Sequence, residues 1–167
     1  MSNQQEEKAF PRIGVGVLVT RGNNVLLGCR RGPRSAGYFG LPGGYLNCNE
    51  SLEAGARREL WEETGLSDLT LHPLYLINLK ISDNHSVDVV FWARSTKGFP
   101  VAREPDRVVK WQWCKLSDLP SPLYPPSSFA LQYFKSKHLE LFIRSLISKF
   151  WKSNSQIVHI DFLDEFN

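Results

Sequence analysis

An α/β fold is predicted by three features of this 167-residue sequence. The β-branched run Ile13-Gly-Val-Gly-Val-Leu-Val19 reads as a buried strand, and similar apolar runs recur further along. The stretch from Ser51 to Thr64 is made of good helix formers and is followed by Gly65, where a C′ glycine would end a helix. A second helical periodicity begins near Ser127.

The elements follow in order. Arg21-Gly22-Asn23-Asn24 offers residues that tolerate the φ > 0 of a tight hairpin turn, and Val25-Leu-Leu27 leads the return strand. A loop rich in Gly, Pro, Arg and Ser runs from Arg31 to Gly37. Phe39-Gly-Leu-Pro-Gly-Gly44 has too much Gly and Pro for a helix and reads as a short extended piece with a turn. After the helix come two strand candidates, Leu69 to Ile81 and Ser86 to Ala93, joined by the turn Ser82 to His85. Val108 to Cys114 is a further strand, with Trp111 and Trp113 on one face by period-two spacing. From Ser127, Phe129, Tyr133, Phe134, Leu139, Phe142, Ile143, Leu146, Ile147 and Phe150 recur at helical spacing. They predict one long amphipathic helix or two short ones, covering a face of the sheet. Residues 1–10 are expected to be a flexible polar leader, 11–150 a single domain including the C-terminal helix, and 151–167 a tail of unassigned structure.

Composition bounds the function. With 42% hydrophobic and 22% charged residues, the chain has the make-up of an ordinary globular protein. A net charge of +3 is too small to argue for a nucleic-acid polymer as partner, and the local cluster Arg30, Arg31 and Arg34 is the one concentration of positive charge. Cys29, Cys48 and Cys114 are odd in number and lack CxxC spacing, which argues against a disulfide framework or a zinc site and for a reducing compartment. The leader lacks the features of a signal or transit peptide, and no apolar run reaches the ~18 residues of a membrane span. The expected location is the cytoplasm, with the nucleus left open and no membrane involved.

The stretch from Gly44 to Leu66 carries the chemistry. Glu59, Glu62 and Glu63 are spaced i, i+3, i+4, so on a helix their carboxylates share one arc of about 100°. Like charges stacked this way cost a few tenths of a kcal/mol per pair, roughly, in an isolated helix. The arrangement becomes favourable around a hard divalent cation such as Mg²⁺, which takes oxygen ligands and shares them with water and phosphates. Gly55, four residues before Glu59, is expected to leave that arc bare of side chain. Pro42-Gly43-Gly44 is expected to let the backbone approach the same ions and offer a carbonyl. Arg58 lies beside the arc, placed to hold Glu50 by a bidentate pair.

This stretch resembles the Nudix box, G-x5-E-x7-R-E-U-x-E-E-x-G-U with U a bulky aliphatic, at every specified position: Gly44, Glu50, Arg58, Glu59, Leu60, Glu62, Glu63, Gly65 and Leu66. A chance match in a chain of this length is on the order of 10⁻⁸, taking Gly at about 7% and the rest similarly. The Leu-Pro-Gly-Gly lead-in and the Trp111-Gln-Trp113 strand agree, and the resemblance spans roughly Arg12 to Pro126. Within the family, Val25-Leu-Leu-Gly-x-Arg30-Arg31 looks most like the small MutT-type nucleoside triphosphate pyrophosphatases.

The resemblance implies a mixed β-sheet sandwiched between α-helices, an α/β/α sandwich. It implies Mg²⁺, with Mn²⁺ able to substitute, held by Glu59, Glu62, Glu63 and the carbonyl of Gly43. Glu59 is implied as general base, with Glu50 and Arg58 orienting the group. An acid outside the box commonly completes such a site, and Glu104 and Asp106, just before the Trp-x-Trp strand, are in the right region, with Glu104 preferred. A water activated by the metal would attack one phosphorus in line. Arg30, Arg31 and Arg34 are candidates for phosphate, and Gly44 for close approach of the substrate. Tyr38, Phe39, Trp92 and Tyr124 are candidates for stacking on a base. The implied reaction turns nucleoside triphosphates, oxidised or modified ones included, into monophosphate and pyrophosphate. Two alternatives stand beside it: another diphosphate (ADP-ribose, a nucleotide sugar, a dinucleotide or an isoprenyl diphosphate), and a non-catalytic module that senses a nucleotide. Family members are often homodimers.

Overall fold

A computed structural model describes residues 10–33, 35–81 and 84–143, with side chains described over 10–33, 35–80 and 85–137. The elements run β1 (Arg12–Arg21), β2 (Asn24–Arg30), β3 (Phe39–Gly40), β4 (Gly43–Tyr45), α1 (Leu52–Thr64), β5 (His72–Ile81), β6 (Asn84–Arg94), β7 (Val108–Lys115) and α2 (Pro125–Ile143). Residues 1–9, the tip 82–83 of the turn expected at Ser82–His85, the helical positions beyond Ile143 and the tail over 151–167 fall outside the described residues.

The seven strands form one mixed sheet ordered β3-β2-β1-β6-β5, with β4 on β1 and β7 on β2. β1 and β6 are parallel, pairing from Arg12↔Ser86 to Thr20↔Arg94, and the other pairs are antiparallel. β1 and β2 meet only near their hairpin, at Thr20↔Val25 and Arg21↔Asn24. Beyond that they splay, and the Phe39–Tyr45 segment fills the gap. It pairs first with β2 through Gly28↔Gly40, then crosses to β1 through Gly16↔Gly43, with the Val17 N–H donating to the Pro42 carbonyl between them (2.9 Å). The Gly- and Pro-rich run is therefore the piece that locks the start of the box into the centre of the sheet.

Each face of the sheet buries its own core. Val15, Val17, Val19, Leu26 and Trp111 pack with Ala56 and Leu60 of α1, and Trp113 joins the same cluster, so the two tryptophans share a face as their spacing predicts. On the opposite face Leu18, Val25 and Leu27 pack with Ala130, Leu131, Tyr133 and Phe134 of α2. Alternation along β1 and β2 thus feeds two layers, which is the predicted sandwich. No helix among the described residues is long and apolar enough to cross a membrane.

Candidate active site

The helix carrying the acids is fixed at both ends. The Ser51 hydroxyl caps its start by accepting from the Ala54 N–H (3.1 Å), and Gly65, at φ 72°, ends it with its N–H on the Trp61 carbonyl (2.8 Å). Trp111 Nε1 donates to the Glu63 carbonyl (2.9 Å), tying the last turn of α1 to β7.

Within this frame Glu59, Glu62 and Glu63 lie on one face of α1. Glu59 and Glu63 are buried, at 5% and 3% exposure, while the Glu62 side chain is 39% exposed. Arg58 binds Glu50 with both prongs, Nε to Oε1 at 2.8 Å and Nη2 to Oε2 at 3.0 Å, so the expected bidentate pair is present. It also does more than the sequence suggests. Its Nη1 donates to Glu59 Oε1 (2.7 Å) and Glu62 Oε2 (3.0 Å), and Nη2 to the Tyr45 carbonyl (3.1 Å). One guanidinium therefore gathers three carboxylates and the loop before the helix. The pairing holds the Glu50 carboxyl below its usual range and drives the Arg58 proton on more firmly, through the hydrogen bonds to Glu50 first.

Gly55 has a different place from the one expected. A Cβ there would meet Leu46 Cδ1 at 2.8 Å and Glu50 Oε2 at 3.0 Å. The space belongs to the loop folded onto the helix, and it does not open the acidic arc to a ligand. The bare backbone beside the acids is instead at Gly43 and Gly44. The Gly43 N–H donates to Glu63 Oε2 (2.9 Å), and a Cβ on Gly44 would stand 2.5 Å from the Glu59 carboxyl carbon.

Burial raises the Glu63 carboxyl to about 7 from 4.5; the Gly43 N–H and Arg30 pull it down, and Glu59 and Glu104 push it further up. Glu104 therefore lies within electrostatic reach of Glu63. Its Oε2 is buried without a hydrogen bond, although Arg107 Nη1 stands 3.5 Å away as an ion pair. Asp106 is exposed.

The raised Glu63 value predicts a pH dependence of stability in the metal-free protein. Between 4.5 and about 7 the folded chain keeps a proton that the unfolded chain releases. The fold consequently loses stability as pH rises through this window, by about 3 kcal/mol in all at 1.36 kcal/mol per pKa unit. Melting in a chelator at a series of pH values checks this: the stability difference between wild type and Glu63→Gln should shift against wild type from acid to neutral pH. A difference independent of pH would show that Glu63 does not hold its proton in the fold.

The donor set fits a hard divalent cation. It consists of carboxylate and carbonyl oxygens, two of the carboxylates are buried against one another's charge, and the buried Glu104 Oε2 lacks a hydrogen-bond donor. Among the described residues no three His, Cys, Asp or Glu side chains are gathered as a ready-made cage. Arg58 Nη1 stands between Glu59 and Glu62. A closed cage is not what Mg²⁺ requires, since it keeps several waters and takes one or two carboxylates plus substrate phosphate.

A cavity opens beside Gly43 and Gly44, whose backbone lies against Glu63 and Glu59. Gly43, Gly44 and Tyr45 form one wall, Arg30 and Tyr124 another, and Ser86, Asp88 and Val90 of β6 line the floor. Arg30 lies over Tyr124, its guanidinium carbon 4.5 Å from the ring centroid. Of the residues singled out for substrate, Arg30, Gly44 and Tyr124 line this cavity. Arg31 is exposed outside it, and Phe39 packs into the α2-side core. Tyr38 is exposed, Trp92 stacks on His72 (5.5 Å) and Phe134 (6.1 Å), and Arg34 lies outside the described residues. The floor residues Ser86 and Asp88 are not anticipated from sequence. Their signal is two polar residues at period two, alternating with Val87 and Val89.

A family model described as the NUDIX domain matches residues 10–134. The oxidized purine nucleoside triphosphate hydrolase of Mus musculus is 36% identical over 116 residues, which cover 68% of this chain and 72% of that protein. The Danio rerio protein of the same description is 35% identical over 106 residues, 62% of this chain and 66% of that one. Among solved structures, a MutT NUDIX hydrolase from Burkholderia pseudomallei superposes with a TM-score of 0.72 at 33% identity, covering 75% of this chain and 98% of that chain.

Proposed function

The chain belongs to the NUDIX family as a MutT-like hydrolase of phosphoric anhydrides, and from that premise we propose that it hydrolyses nucleoside triphosphates, oxidised purine nucleotides among them, to monophosphate and pyrophosphate with Mg²⁺. One observation supports this reading: the bare backbone of Gly43 and Gly44, which lies against Glu63 and Glu59 of α1, lines the same cavity as Arg30 and Tyr124.

Glu59, Glu62, Glu63 and Glu104 would hold the divalent cation with the Gly43 carbonyl. When bound, the cation lowers the pKa of water and offsets the charge of the diphosphate. Glu59 takes a proton from the attacking water at its carboxylate, held in place by Arg58 Nη1 at 2.7 Å. Arg58, anchored on Glu50, fixes the geometry of the acids without touching substrate. Arg30 binds phosphate oxygens, and the Tyr124 ring beneath it offers a stacking face. Burial raises the Tyr124 hydroxyl, the Arg30 charge opposing that rise, so the ring stays neutral at physiological pH.

The polar groups of the cavity favour a nucleotide over an isoprenyl chain. Phe91 is buried in the core under α1, Leu76 packs against that core, and the cavity floor carries Ser86 and Asp88. We place the activity in the cytoplasm, since all three cysteines are free thiols.

Incubation with Mg²⁺ and a panel of nucleoside triphosphates, ADP-ribose and a dinucleotide tests the reading. Pyrophosphate and nucleoside monophosphate are expected from a purine triphosphate, with all turnover lost in EDTA. Failure to release pyrophosphate from any triphosphate overturns it. Release of two mononucleotide-sized products from a dinucleotide alone would assign the other substrate class.

A further inference from the structure

Asp88 lies on the face of β6 that floors the cavity, between Ser86 and Val90. It pairs in register with Gly14 of β1, which pairs in turn with Tyr45 of β4. Two strand spacings, on the order of 10 Å, thus separate Asp88 from the wall that continues to Gly44 and Gly43. That is about the reach of a ribose between a base and its phosphates. A nucleotide with its phosphates beside Gly43 and Gly44 would present its base to Asp88.

The local structure is shaped around this carboxylate. A Cβ on Gly14 would collide with Asp88 Oδ1, so the neighbouring strand leaves room for it by carrying no side chain. Ser86 Oγ donates to Asp88 Oδ2 at 2.6 Å, which orients the group and leaves that oxygen a further lone pair. Oδ1 has no hydrogen bond among the described residues. Burial raises the Asp88 carboxyl, and the Ser86 bond only partly offsets this. A half-buried acceptor short of donors favours any ligand that brings them.

We propose that Asp88 is a specificity-determining residue that selects purines presenting two adjacent N–H donors, as guanine does with its ring N1–H and exocyclic 2-amine. Two parallel N–H···O bonds to one carboxylate are the geometry that such an edge satisfies. An adenine-type edge offers an amine beside a bare ring nitrogen, and that lone pair faces an oxygen. Oxidation of guanine at C8 leaves the donor pair intact, so this contact reads the base type and not the lesion. The assignment rests on the nucleotide reading above for its substrate class.

Binding of monophosphates, which needs no turnover, tests it. Calorimetry with GMP, IMP and AMP in the presence of Mg²⁺ should give GMP tightest, by on the order of 10–100-fold over AMP, with IMP between because it keeps only the ring N–H. Asp88→Asn supplies one acceptor and one donor and should erase or reverse the GMP preference while retaining AMP, which also reports that the variant folds. Equal binding of GMP and AMP by wild type overturns the assignment. So does an unchanged preference in Asp88→Asn, or a variant that loses both nucleotides without exchanging preference. Turnover of triphosphates is scored separately: a switch in monophosphate preference without any triphosphate hydrolysis would remove the proposed reaction and leave the Asp88 assignment standing.

Discussion

Glu59→Gln is expected to cut turnover of the triphosphate substrate by on the order of 10²–10⁴-fold, with little change in melting temperature. The two halves of this expectation come from different atoms. Glu59 Oε1 accepts from Arg58 Nη1 at 2.7 Å, and a glutamine carbonyl can accept the same bond. The side chain is 7% exposed and sits against the bare backbone of Gly44, so the isosteric amide fills the same space. What the amide lacks is charge for a cation and a lone pair basic enough to take a proton from water. Steady-state rates with saturating Mg²⁺ should show the loss mainly in kcat, since the general-base role acts in the transition state. Glu62→Gln makes an informative partner. Glu62 shares Arg58 Nη1 but its side chain is 39% exposed, so raising Mg²⁺ should recover part of its activity if it serves chiefly as ligand. A Glu59→Gln enzyme that keeps activity within tenfold of wild type would remove Glu59 from both roles.

The residues that carry this expectation are legible in sequence because their placement is local. An i, i+3, i+4 spacing puts three carboxylates on one helix face whatever the rest of the chain does, and Gly65 marks the end of that helix by its own backbone freedom. The strands are legible for the same reason, since period-two burial needs only a sheet with two covered faces. What the spacing does not encode is contact across the fold. Arg58 is adjacent to its acids in sequence, yet its hold on the Tyr45 carbonyl depends on the loop coming back over α1. Gly55 shows the opposite error of inference. Its missing side chain points to an open face, whereas Leu46 and Glu50 take that space once the loop docks. The cavity is the least legible part, because it joins Arg30 of β2, Gly43 of β4, Asp88 of β6 and Tyr124 before α2. These residues span most of the domain, and only the splay of β1 from β2 and the parallel β1–β6 pairing bring them to one place.

Gly43 and Gly44 are adjacent, and alanine at each should fail in a different way. At Gly43 the backbone sits at φ 155°, and an added Cβ would strike the Val15 carbonyl oxygen and stand 2.7 Å from the Gly16 Cα. Both obstacles are main chain of the central strand β1, so no rotamer change relieves them. The strained backbone costs about 1–3 kcal/mol, and forcing the strands apart adds a similar amount, about 1–3 kcal/mol. Gly43→Ala should therefore lower the denaturant midpoint markedly. It should also lower activity, because the N–H that donates to Glu63 Oε2 at 2.9 Å moves with the strand. At Gly44 the obstacle is the Glu59 carboxylate, at 2.5 Å, the far end of a side chain that can swing aside. Gly44→Ala should keep most of its stability and lose activity comparably to Glu59→Gln, since the same carboxylate is displaced. Urea unfolding of the two variants beside their rates separates the cases. If Gly43→Ala unfolds at the wild-type midpoint, β4 does not approach β1 as closely as Gly16↔Gly43 pairing requires, and the backbone wall of the cavity must be drawn differently.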